Sequence, residues 1–300
     1  MATIKLAMIQ YLYLGRVDYD EALRLQAEIA ALVAEGRIEN VLLLLEHPPV
    51  LTLGRNANRS NILASDELLK RRGVTVHEIN RGGDVTYHGP GQLVGYPIFD
   101  LRALRIASGA RMGPVDFVRG MEEALIRLCG NFGVYASRIA GLTGVWCGVG
   151  LAAEAHPSGT EASTSDKRHT GQERKIAAIG IHVARGITSH GFAFNISTDL
   201  KDFALIVPCG IADHAVTSLQ QEVKSPDNLP GLEAIAQQAA QKFGQVFGQR
   251  VLAVESLPAL RAQAEAAQVT PQQFPAEDTP LRIPDEVERL RGTAEHPIRA

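Results

Sequence analysis

Apolar residues recur at helical spacing in three segments, residues 18–36, 114–130 and 231–247. In each, apolar side chains lie three or four positions apart, which is typical of a helix that turns one face toward a core. Asp18, followed by Glu21 three positions later, is a helix-start signal, and a proline opens the second segment. The spacing therefore predicts three amphipathic helices.

Shorter apolar or alternating runs predict β-strands. They cover residues 4–14, 41–45, 74–79, 93–99, 144–150, 176–183 and 192–196. Turn residues follow several of these runs, such as the prolines after 41–45 and the Arg-Gly pair before 192–196. Because strands and helices do not alternate strictly, the pattern favours an α+β fold, a mixed β-sheet core flanked by helices.

Composition narrows the class of protein. The chain has 300 residues, 45% hydrophobic, so it can bury a sizeable core without a disulfide or a metal. Its 30 Lys and Arg are opposed by 33 Asp and Glu, and the net charge of −3 disfavours nucleic-acid binding. The three cysteines have no CxxC spacing, and we see neither a membrane-length apolar run nor a signal peptide. We expect a cytoplasmic protein with no nucleic-acid or membrane partner.

Two segments differ in composition from the rest of the chain. Residues 152–173 are polar and almost free of apolar side chains, which predicts a mobile loop inserted in the domain. Beyond about residue 255 the chain is rich in Ala, Gln, Glu and Pro and has little periodicity. We therefore expect one domain over residues 1–255 and a poorly ordered or loosely packed C-terminal extension over residues 256–300.

The densest chemical signal is residues 81–92, RGGDVTYHGPGQ. Four glycines and a proline indicate a backbone held close to another group, and the polar residues between them supply donors and acceptors. The segment lacks the lysine and hydroxyl residue that end a phosphate-binding P-loop. A ligand-binding loop and a tight hairpin both explain this composition.

A second signal surrounds Cys209, which lies between a proline and a glycine, where packing does not explain it. Cys129, on the apolar face of a predicted helix, and Cys147, in a predicted strand, are interpreted as core residues. To react near neutral pH, the Cys209 thiol needs a nearby cation or helix N-terminus. Lys175 directly precedes a strand, a position where a lysine is usually solvated. The histidines lack the spacing of metal ligands, so we expect no metal site.

Taken together, these segments resemble the lipoyl(octanoyl) transferase family. The resemblance rests on EHPPVLTLG at 46–54, RGGDVTYHGPGQ at 81–92, Tyr96-Pro97, KIAAIG at 175–180, HGFAFN at 190–195 and PCG at 208–210. It covers roughly residues 5–250 in the family's order. The long polar segment and the C-terminal extension depart from the family pattern, but neither removes a motif residue.

The resemblance implies a fold and an activity. The fold would be the catalytic fold shared with biotin- and lipoate-protein ligases. The enzyme would move an octanoyl group from octanoyl-acyl carrier protein to a lysine of a lipoyl domain, in 2-oxoacid dehydrogenase complexes or in the glycine cleavage H protein. This reaction is the first step of endogenous protein lipoylation. It would need no cofactor, and we expect a monomer.

The resemblance also assigns roles to residues. Cys209 would form the acyl-thioester intermediate, and Lys175 would favour deprotonation of its thiol. Backbone N–H groups near Gly210 or in the Gly82–Gly83 turn are candidates to hold the oxyanion. The substrate contacts would be Arg81, Gly82, Gly83, Asp84, Val85, Thr86, Tyr87, His88, Ala178, Ile179, Gly180, Gly191, Phe192 and Ala193.

Three other functions remain open at this point. An ATP-dependent lipoate- or biotin-protein ligase would activate a free acid as an adenylate and would need no nucleophilic cysteine. A thioester hydrolase would use Cys209 with His88 or His190 and release the free acid to water. A carrier-protein-binding module would keep its function without the cysteine.

Overall fold

Two β-sheets, with helices on both faces of the larger one, appear in a computed structural model that describes residues 8–149, 173–207 and 215–267. The predicted α+β fold with a mixed sheet is confirmed. These residues belong to one compact unit, Met1–Thr270. Cys209, nearly all of the polar segment 152–173 and the chain beyond residue 267 lie outside the described residues.

The described residues form twelve strands and six α-helices. The strands are β1 (Met8–Arg16), β2 (Asn40–Glu46), β3 (Val50–Leu53), β4 (Thr75–Glu78), β5 (Val85–His88), β6 (Gln92–Ile98), β7 (Ala136–Ile139), β8 (Leu142–Cys147), β9 (Arg174–Ala184), β10 (Ile187–Asn195), β11 (Ala215–Val216) and β12 (Arg250–Ala253). The helices are α1 (Tyr19–Ala34), α2 (Asp66–Arg71), α3 (Pro114–Asn131), α4 (Leu219–Glu222), α5 (Leu232–Phe247) and α6 (Leu257–Ala266). The three predicted amphipathic helices correspond to α1, α3 and α5.

The larger sheet has the order β12-β1-β2-β6-β10-β9-β8-β7, and β11 pairs with β9 off this path. β1 is parallel to both β12 and β2, whereas β2, β6, β10, β9, β8 and β7 are joined by antiparallel pairs. The smaller sheet has the order β4-β3-β5. β3 is parallel to β4 and antiparallel to β5.

Strand alternation divides the larger sheet between two cores. In β2, Leu42 and Leu44 face the core that contains α3 and α5, while Leu43 and Leu45 face the core that contains α1 and α6. All four leucines are fully buried. A strand buried on both faces reads as an unbroken apolar run, and this explains why the sequence of β2 does not alternate. A third, smaller core lies under the smaller sheet.

The helix α6 lies in the segment that was expected to be loosely packed. Ser256 caps its first turn, and Leu260 and Ala264 are buried in the core beside α1. Two apolar positions four residues apart give the helix one narrow buried stripe, and the surrounding alanines and glutamines hide it in the sequence. Over Leu257–Ala266 the chain is therefore packed, while the proposed domain limit at residue 255 stays a prediction.

Within the described residues, each helix is too short or too polar to cross a bilayer.

Leu260→Ala is expected to lower the free energy of unfolding by about 2–5 kcal/mol, because it leaves a cavity between α6 and α1. Urea denaturation followed by circular dichroism measures the change. Leu63→Ala is the matched control, since Leu63 is 62% exposed where Leu260 is 1% exposed, and a change within about 0.5 kcal/mol is expected there. Equal effects of the two variants would contradict the packing of α6.

Candidate functional site

A cavity of about 210 Å³ lies on the face of the larger sheet, over strands β9 and β10. Its floor is a patch of small residues, because Ala178 pairs with Ala193 and Gly180 pairs with Gly191 across the two strands. Val94 and Tyr96 of β6 line it as well. A sheet face normally carries one layer of side chains, so four adjacent positions without a large one leave a space of this kind.

The smaller sheet and the loop before it form the facing wall. Thr86 and His88 of β5 line the cavity, whereas Val85 and Tyr87 alternate to the other side and are buried in the third core. Tyr87 also donates a hydrogen bond from its hydroxyl to Asp202 Oδ2 at 2.7 Å. Because successive side chains of a strand point to opposite faces, alternate residues of the predicted binding segment face the cavity and the third core.

The sequence-predicted site residues fall into three groups. Those that line the cavity are Arg81, Gly83, Asp84, Thr86, His88, Lys175, Ala178, Ile179, Gly180, Gly191, Phe192 and Ala193. Gly82, Val85 and Tyr87 do not line it. Cys209 lies outside the described residues. Whether the lining residues bind a substrate stays a prediction.

Arg81 fixes the loop between β4 and β5, which lies against β9 of the larger sheet. Its guanidinium is buried and donates from Nη2 to the Thr52 carbonyl oxygen at 2.8 Å and to Thr52 Oγ1 at 2.9 Å, and from Nη1 to Gly82 O at 2.9 Å. Gly82 N–H donates across the seam to Ile181 O at 2.9 Å. The loop is therefore held on β3 by its arginine and on β9 by its backbone, and the arginine's positive charge lies in the cavity wall.

A chain of buried amides fixes the proton on His88. Asn195 Nδ2 donates to the Thr217 carbonyl, so Asn195 Oδ1 must accept from Gln92 Nε2, at 2.9 Å. Gln92 Nε2 also donates to the Tyr87 carbonyl, which leaves Gln92 Oε1 to face His88 Nδ1 at 2.8 Å. Because an amide oxygen only accepts, His88 carries its proton on Nδ1, and its Nε2 keeps a lone pair.

A second buried pair orients Tyr96. His47 Nδ1 donates to the Val17 carbonyl at 2.7 Å, so His47 Nε2 must accept from the Tyr96 hydroxyl, at 2.7 Å. The Tyr96 oxygen therefore keeps its lone pairs as acceptors at the cavity. Tyr19, at the start of α1, packs over both histidines, with ring centroids 5.0 Å from His47 and 6.2 Å from His88.

The three buried histidines of this region are neutral at physiological pH. Burial lowers the pKa of His88 to about 3, with the positive charge of Arg81 as a minor cause. Burial also lowers the pKa of His47 to about 4. His190 has its pKa lowered to about 4 by burial and then by Arg81, and its Nε2 donates to Asn80 Oδ1 at 2.7 Å. Each ring nitrogen at this site thus has a fixed role as donor or acceptor.

Lys175, the second residue of β9, brings its side chain into the cavity. The residue is 7% exposed, and its Nζ lies 4.6 Å from the centroid of the Trp146 ring. Among the described residues, Nζ makes no hydrogen bond or ion pair. The carboxylate of Glu222 is hydrogen-bonded to Arg174, the residue before Lys175, at 2.9 Å and to Thr217 at 2.6 Å.

The described cysteines are both buried. Burial raises the pKa of Cys147 to about 12 and that of Cys129 well above its ordinary value. A thiol in such surroundings is protonated at neutral pH and is a poor nucleophile. Within the described ranges, moreover, no group of His, Cys, Asp or Glu is arranged to hold a metal ion.

The segment that contains Cys209 is joined to cavity residues at both ends, through Asn61 on one side and directly to Lys175 on the other. On its N-terminal side, Val207 N–H donates to Asn61 O at 2.7 Å, and the Asn61 amide is hydrogen-bonded to the carboxylate of Asp84. On its C-terminal side, Val216 pairs with Lys175, and Thr217 N–H donates to Lys175 O at 2.9 Å.

Several cavity residues are not among the substrate contacts or catalytic residues that the resemblance implies, although His190 was considered as a partner of Cys209 in a hydrolase. They are Tyr19, Val94, Tyr96, Gly141, Leu142, Thr143 and His190. Tyr96 and His190 lie inside motifs that were recognised, and the alternation of β6 places Tyr96 on the same face as Val94. Tyr19 and the hairpin residues 141–143 come from distant parts of the chain, and no local pattern marks them.

Comparisons with known proteins agree with this geometry. The family model described as the lipoyl protein ligase A/B catalytic domain matches residues 18–244. A protein of Acidobacterium capsulatum named octanoyltransferase is 54% identical over 250 residues, which are 83% of this chain and 94% of that protein. One of Koribacter versatilis with the same name is 46% identical over 283 residues, 94% of this chain and 97% of that protein.

Solved structures support the fold. Lipoate-protein ligase A bound with ATP superposes with a TM-score of 0.57 at 13% identity, covering 87% of this chain and 93% of that one. A bipartite lipoate protein ligase from Thermoplasma acidophilum gives 0.55 at 15% identity, covering 87% of this chain and 91% of that one. The predicted lipoate-ligase-like catalytic fold is confirmed.

Acidification from pH 7.5 to pH 5 is expected to destabilise the protein. An unfolded histidine takes up its proton near pH 6.5, whereas His47, His88 and His190 take theirs up near pH 3 to 4 when folded. The unfolded chain therefore binds more protons in this range. The free energy of unfolding falls as the pH is lowered, and below about pH 6.5 the slope approaches roughly 1.4 kcal/mol per pH unit for each histidine. Urea unfolding at pH 7.5, 6 and 5 measures the slope.

His47→Asn is the control for this assignment. The variant removes one of the three histidines, so the slope of its free energy of unfolding against pH should correspond to about one proton fewer. This expectation holds whatever the stability of the variant at pH 7.5. An unchanged slope would show that His47 does not resist protonation in the folded state.

Proposed function

Because the chain belongs to the lipoyl protein ligase A/B catalytic-domain family, we propose that it transfers an octanoyl group from octanoyl-acyl carrier protein to a lysine of a lipoyl domain, with Cys209 carrying the group as a thioester. The chain is an acyltransferase, an octanoyltransferase of protein lipoylation. The observation that carries the proposal is the cavity, a slot floored by small residues with a buried lysine amine in its wall.

The proposed steps balance without ATP. First, the Cys209 thiolate attacks the carbonyl carbon of the octanoyl thioester, the bond to the carrier sulfur breaks, and the carrier thiolate takes up a proton. Second, the neutral amine of the acceptor lysine attacks the same carbon, the amide forms, and Cys209 leaves as a thiolate that regains the amine's proton. One thioester replaces another in the first step, and amide formation makes the second step favourable.

Cys209 is supported as the nucleophile by elimination and by reach. The chain has three cysteines, and burial keeps the other two thiols protonated. Six positions separate Cys209 from Ala215, which pairs with Arg174 next to Lys175, and two separate it from Val207. A chain of six residues spans up to about 20 Å, so the length of the segment permits its thiol to meet Lys175.

Lys175 is proposed to favour the thiolate of Cys209 and to exchange protons with it. Its Nζ enters the cavity without a carboxylate partner among the described residues, so its N–H donors are available to reacting groups. For the oxyanion, Gly82 is a poor candidate because its N–H already donates to Ile181 O. Gly83, on the cavity wall, and the neighbourhood of Gly210 are the remaining candidates.

The small-residue floor suits an eight-carbon acyl chain. A cavity of about 150 Å³ can hold a benzene molecule, so about 210 Å³ has room for a somewhat larger apolar group. Burying seven carbons at about 0.8 kcal/mol each gives roughly 5 kcal/mol, enough to select octanoyl over much shorter chains. Gly95 takes no part in this floor: a Cβ there would overlap the Phe192 ring, on the other face of β6.

The acceptors proposed are the lipoyl domains of 2-oxoacid dehydrogenase complexes and the glycine cleavage H protein, and the working unit proposed is a monomer. The family relationship supports a lipoyl-domain acceptor. Acyl carrier protein is proposed as the donor because transfer from a thioester needs no separate activation of the acid.

Incubation with octanoyl-acyl carrier protein and no ATP is expected to add the mass of one octanoyl group to the peptide that holds Cys209. Mass spectrometry of the digested protein measures it. Cys209→Ala should abolish the adduct, and Cys129→Ala should keep it, because the Cys129 thiol is buried and protonated.

Other outcomes of this experiment identify the competing functions. Transfer that requires ATP and free octanoate, and persists in Cys209→Ala, would show a ligase. Free octanoate formed at the same rate with and without a lipoyl domain would show a hydrolase.

Ala178→Leu is expected to shift the enzyme toward shorter acyl chains. The larger side chain would fill part of the floor and exclude about two or three methylenes, each worth about 0.8 kcal/mol, so octanoyl transfer should fall by more than tenfold relative to butanoyl transfer. Competition between the two acyl-carrier substrates measures the ratio. Ala253→Leu, at an exposed position of β12, is the matched control and should leave the ratio unchanged.

A further inference from the structure

The indole of Trp146 is the side chain that the described structure presents to the buried Lys175 amine. Trp146 on β8 is the direct cross-strand partner of Lys175 on β9, and its ring is 1% exposed. The distance from Nζ to the ring centroid, 4.6 Å, is within the range of a cation–π interaction. The steps proposed above give Lys175 a role but leave this contact without one.

The local backbone is shaped to bring the two side chains together. The β8–β9 register shifts between Val145 and Trp146, and such a shift re-aims the side chains beside it. Gly144 lies beside the lysine stem with φ +129°, and a Cβ there would lie 2.7 Å from Ala177 O and 3.5 Å from Lys175 Cε. Only glycine combines this backbone conformation with this approach.

Two hydrogen bonds hold this part of β8. Glu122 of α3, fully buried, accepts from Gly144 N–H at 3.0 Å, and its other oxygen accepts from Arg119 at 2.7 Å and Arg138 at 3.0 Å. Trp146 Nε1 donates to the Leu142 carbonyl at 3.4 Å. The ring is therefore fixed before any substrate binds.

An aromatic face serves a reacting lysine differently from a carboxylate. A buried ammonium needs some compensation for its lost hydration. A carboxylate would supply it but would occupy one or two N–H donors and compete with the thiolate. The indole quadrupole attracts the positive charge through its face and accepts no conventional hydrogen bond, so the three N–H donors stay available. Two carboxylates of this region are held by other groups, Glu222 by Arg174 and Thr217, and Asp84 by the Asn61 amide and the Val85 N–H.

We propose that Trp146 is a positioning residue for Lys175, holding the ammonium in the cavity wall by a cation–π contact that leaves its N–H donors to the reacting groups. The inference rests on the proposed function, in which Lys175 acts on Cys209. It predicts that the electrostatic character of the ring at position 146, and not only its size, sets the rate of acyl-enzyme formation.

The test compares rings of graded electrostatic strength at position 146. The single-turnover rate of acyl-enzyme formation from octanoyl-acyl carrier protein is followed by intact-protein mass spectrometry. Trp146→Leu is expected to be about tenfold slower, the rate equivalent of about 1.4 kcal/mol, while Trp146→Phe and Trp146→Tyr stay within about threefold of the native rate. The carrier-protein concentration for half-maximal rate should not change, since the ring does not bind the carrier.

A matched pair separates electrostatics from shape. Pentafluorophenylalanine introduced at position 146 has nearly the shape of phenylalanine but an inverted quadrupole, so it should be about as slow as Trp146→Leu. This pair keeps the test decisive if Trp146→Leu does not fold. Phe117→Leu, in the core between α3 and the sheet, is the control for loss of a buried aromatic and should lower Tm without slowing acylation.

The outcomes distinguish the role proposed for Trp146 from the proposed function on which it rests. In a Lys175→Met background, Trp146→Leu should cause no further loss, because the contact it removes is already absent. If Lys175→Met alone leaves acylation unchanged, the proposed role of Lys175 is wrong. If Lys175→Met abolishes acylation while phenylalanine and pentafluorophenylalanine at position 146 give equal rates, the role of Lys175 stands and the inference about Trp146 is overturned.

Discussion

The face of a β-sheet can hold a cavity only where large side chains are absent, and the rest of this site depends on that constraint. The register of β9 and β10 sets alanine opposite alanine and glycine opposite glycine, at Ala178 and Ala193 and at Gly180 and Gly191. A shift of one residue in either strand would break this pairing of small residues and reverse which side chains of that strand face the cavity. The antiparallel pairing of two strands thus fixes the space, and the smaller sheet closes it from above.

The charges around this slot are arranged for a reaction in which negative charge develops. Arg81 and Lys175 are the basic side chains in its lining, and the histidine rings there are neutral because burial makes their charging unfavourable. The lining carboxylate, Asp84, accepts hydrogen bonds from the backbone of Asn58 and Val85 and from the Asn61 amide, so it holds the loop rather than opposing the lysine. Fixed donors and cations of this kind need little reorganisation when an oxyanion forms.

Much of the fold could be predicted from the sequence, since α1, α3, α5 and most long strands follow directly from apolar spacing. The sequence motifs contain most of the cavity residues, but they did not predict which of their residues face the cavity and which face a core. Residues 85–88 were interpreted as part of a loop, and only a strand assignment would have sent Val85 and Tyr87 to the core and Thr86 and His88 to the cavity. Tyr19 and the hairpin at 141–143 were missed because tertiary packing alone brings them to the site. The packing of α6 was hidden by its narrow apolar stripe.

Main chain meets main chain where the loop before β5 lies against β9 of the larger sheet. A Cβ on Gly180 would lie 2.7 Å from Gly82 O, and within the loops of the smaller sheet one on Gly54 would overlap Gly83 O. A contact between two main chains offers no side chain that could be exchanged for another of similar volume. Because any side chain at position 180 or 54 would have to displace the backbone facing it, these two positions are restricted to glycine.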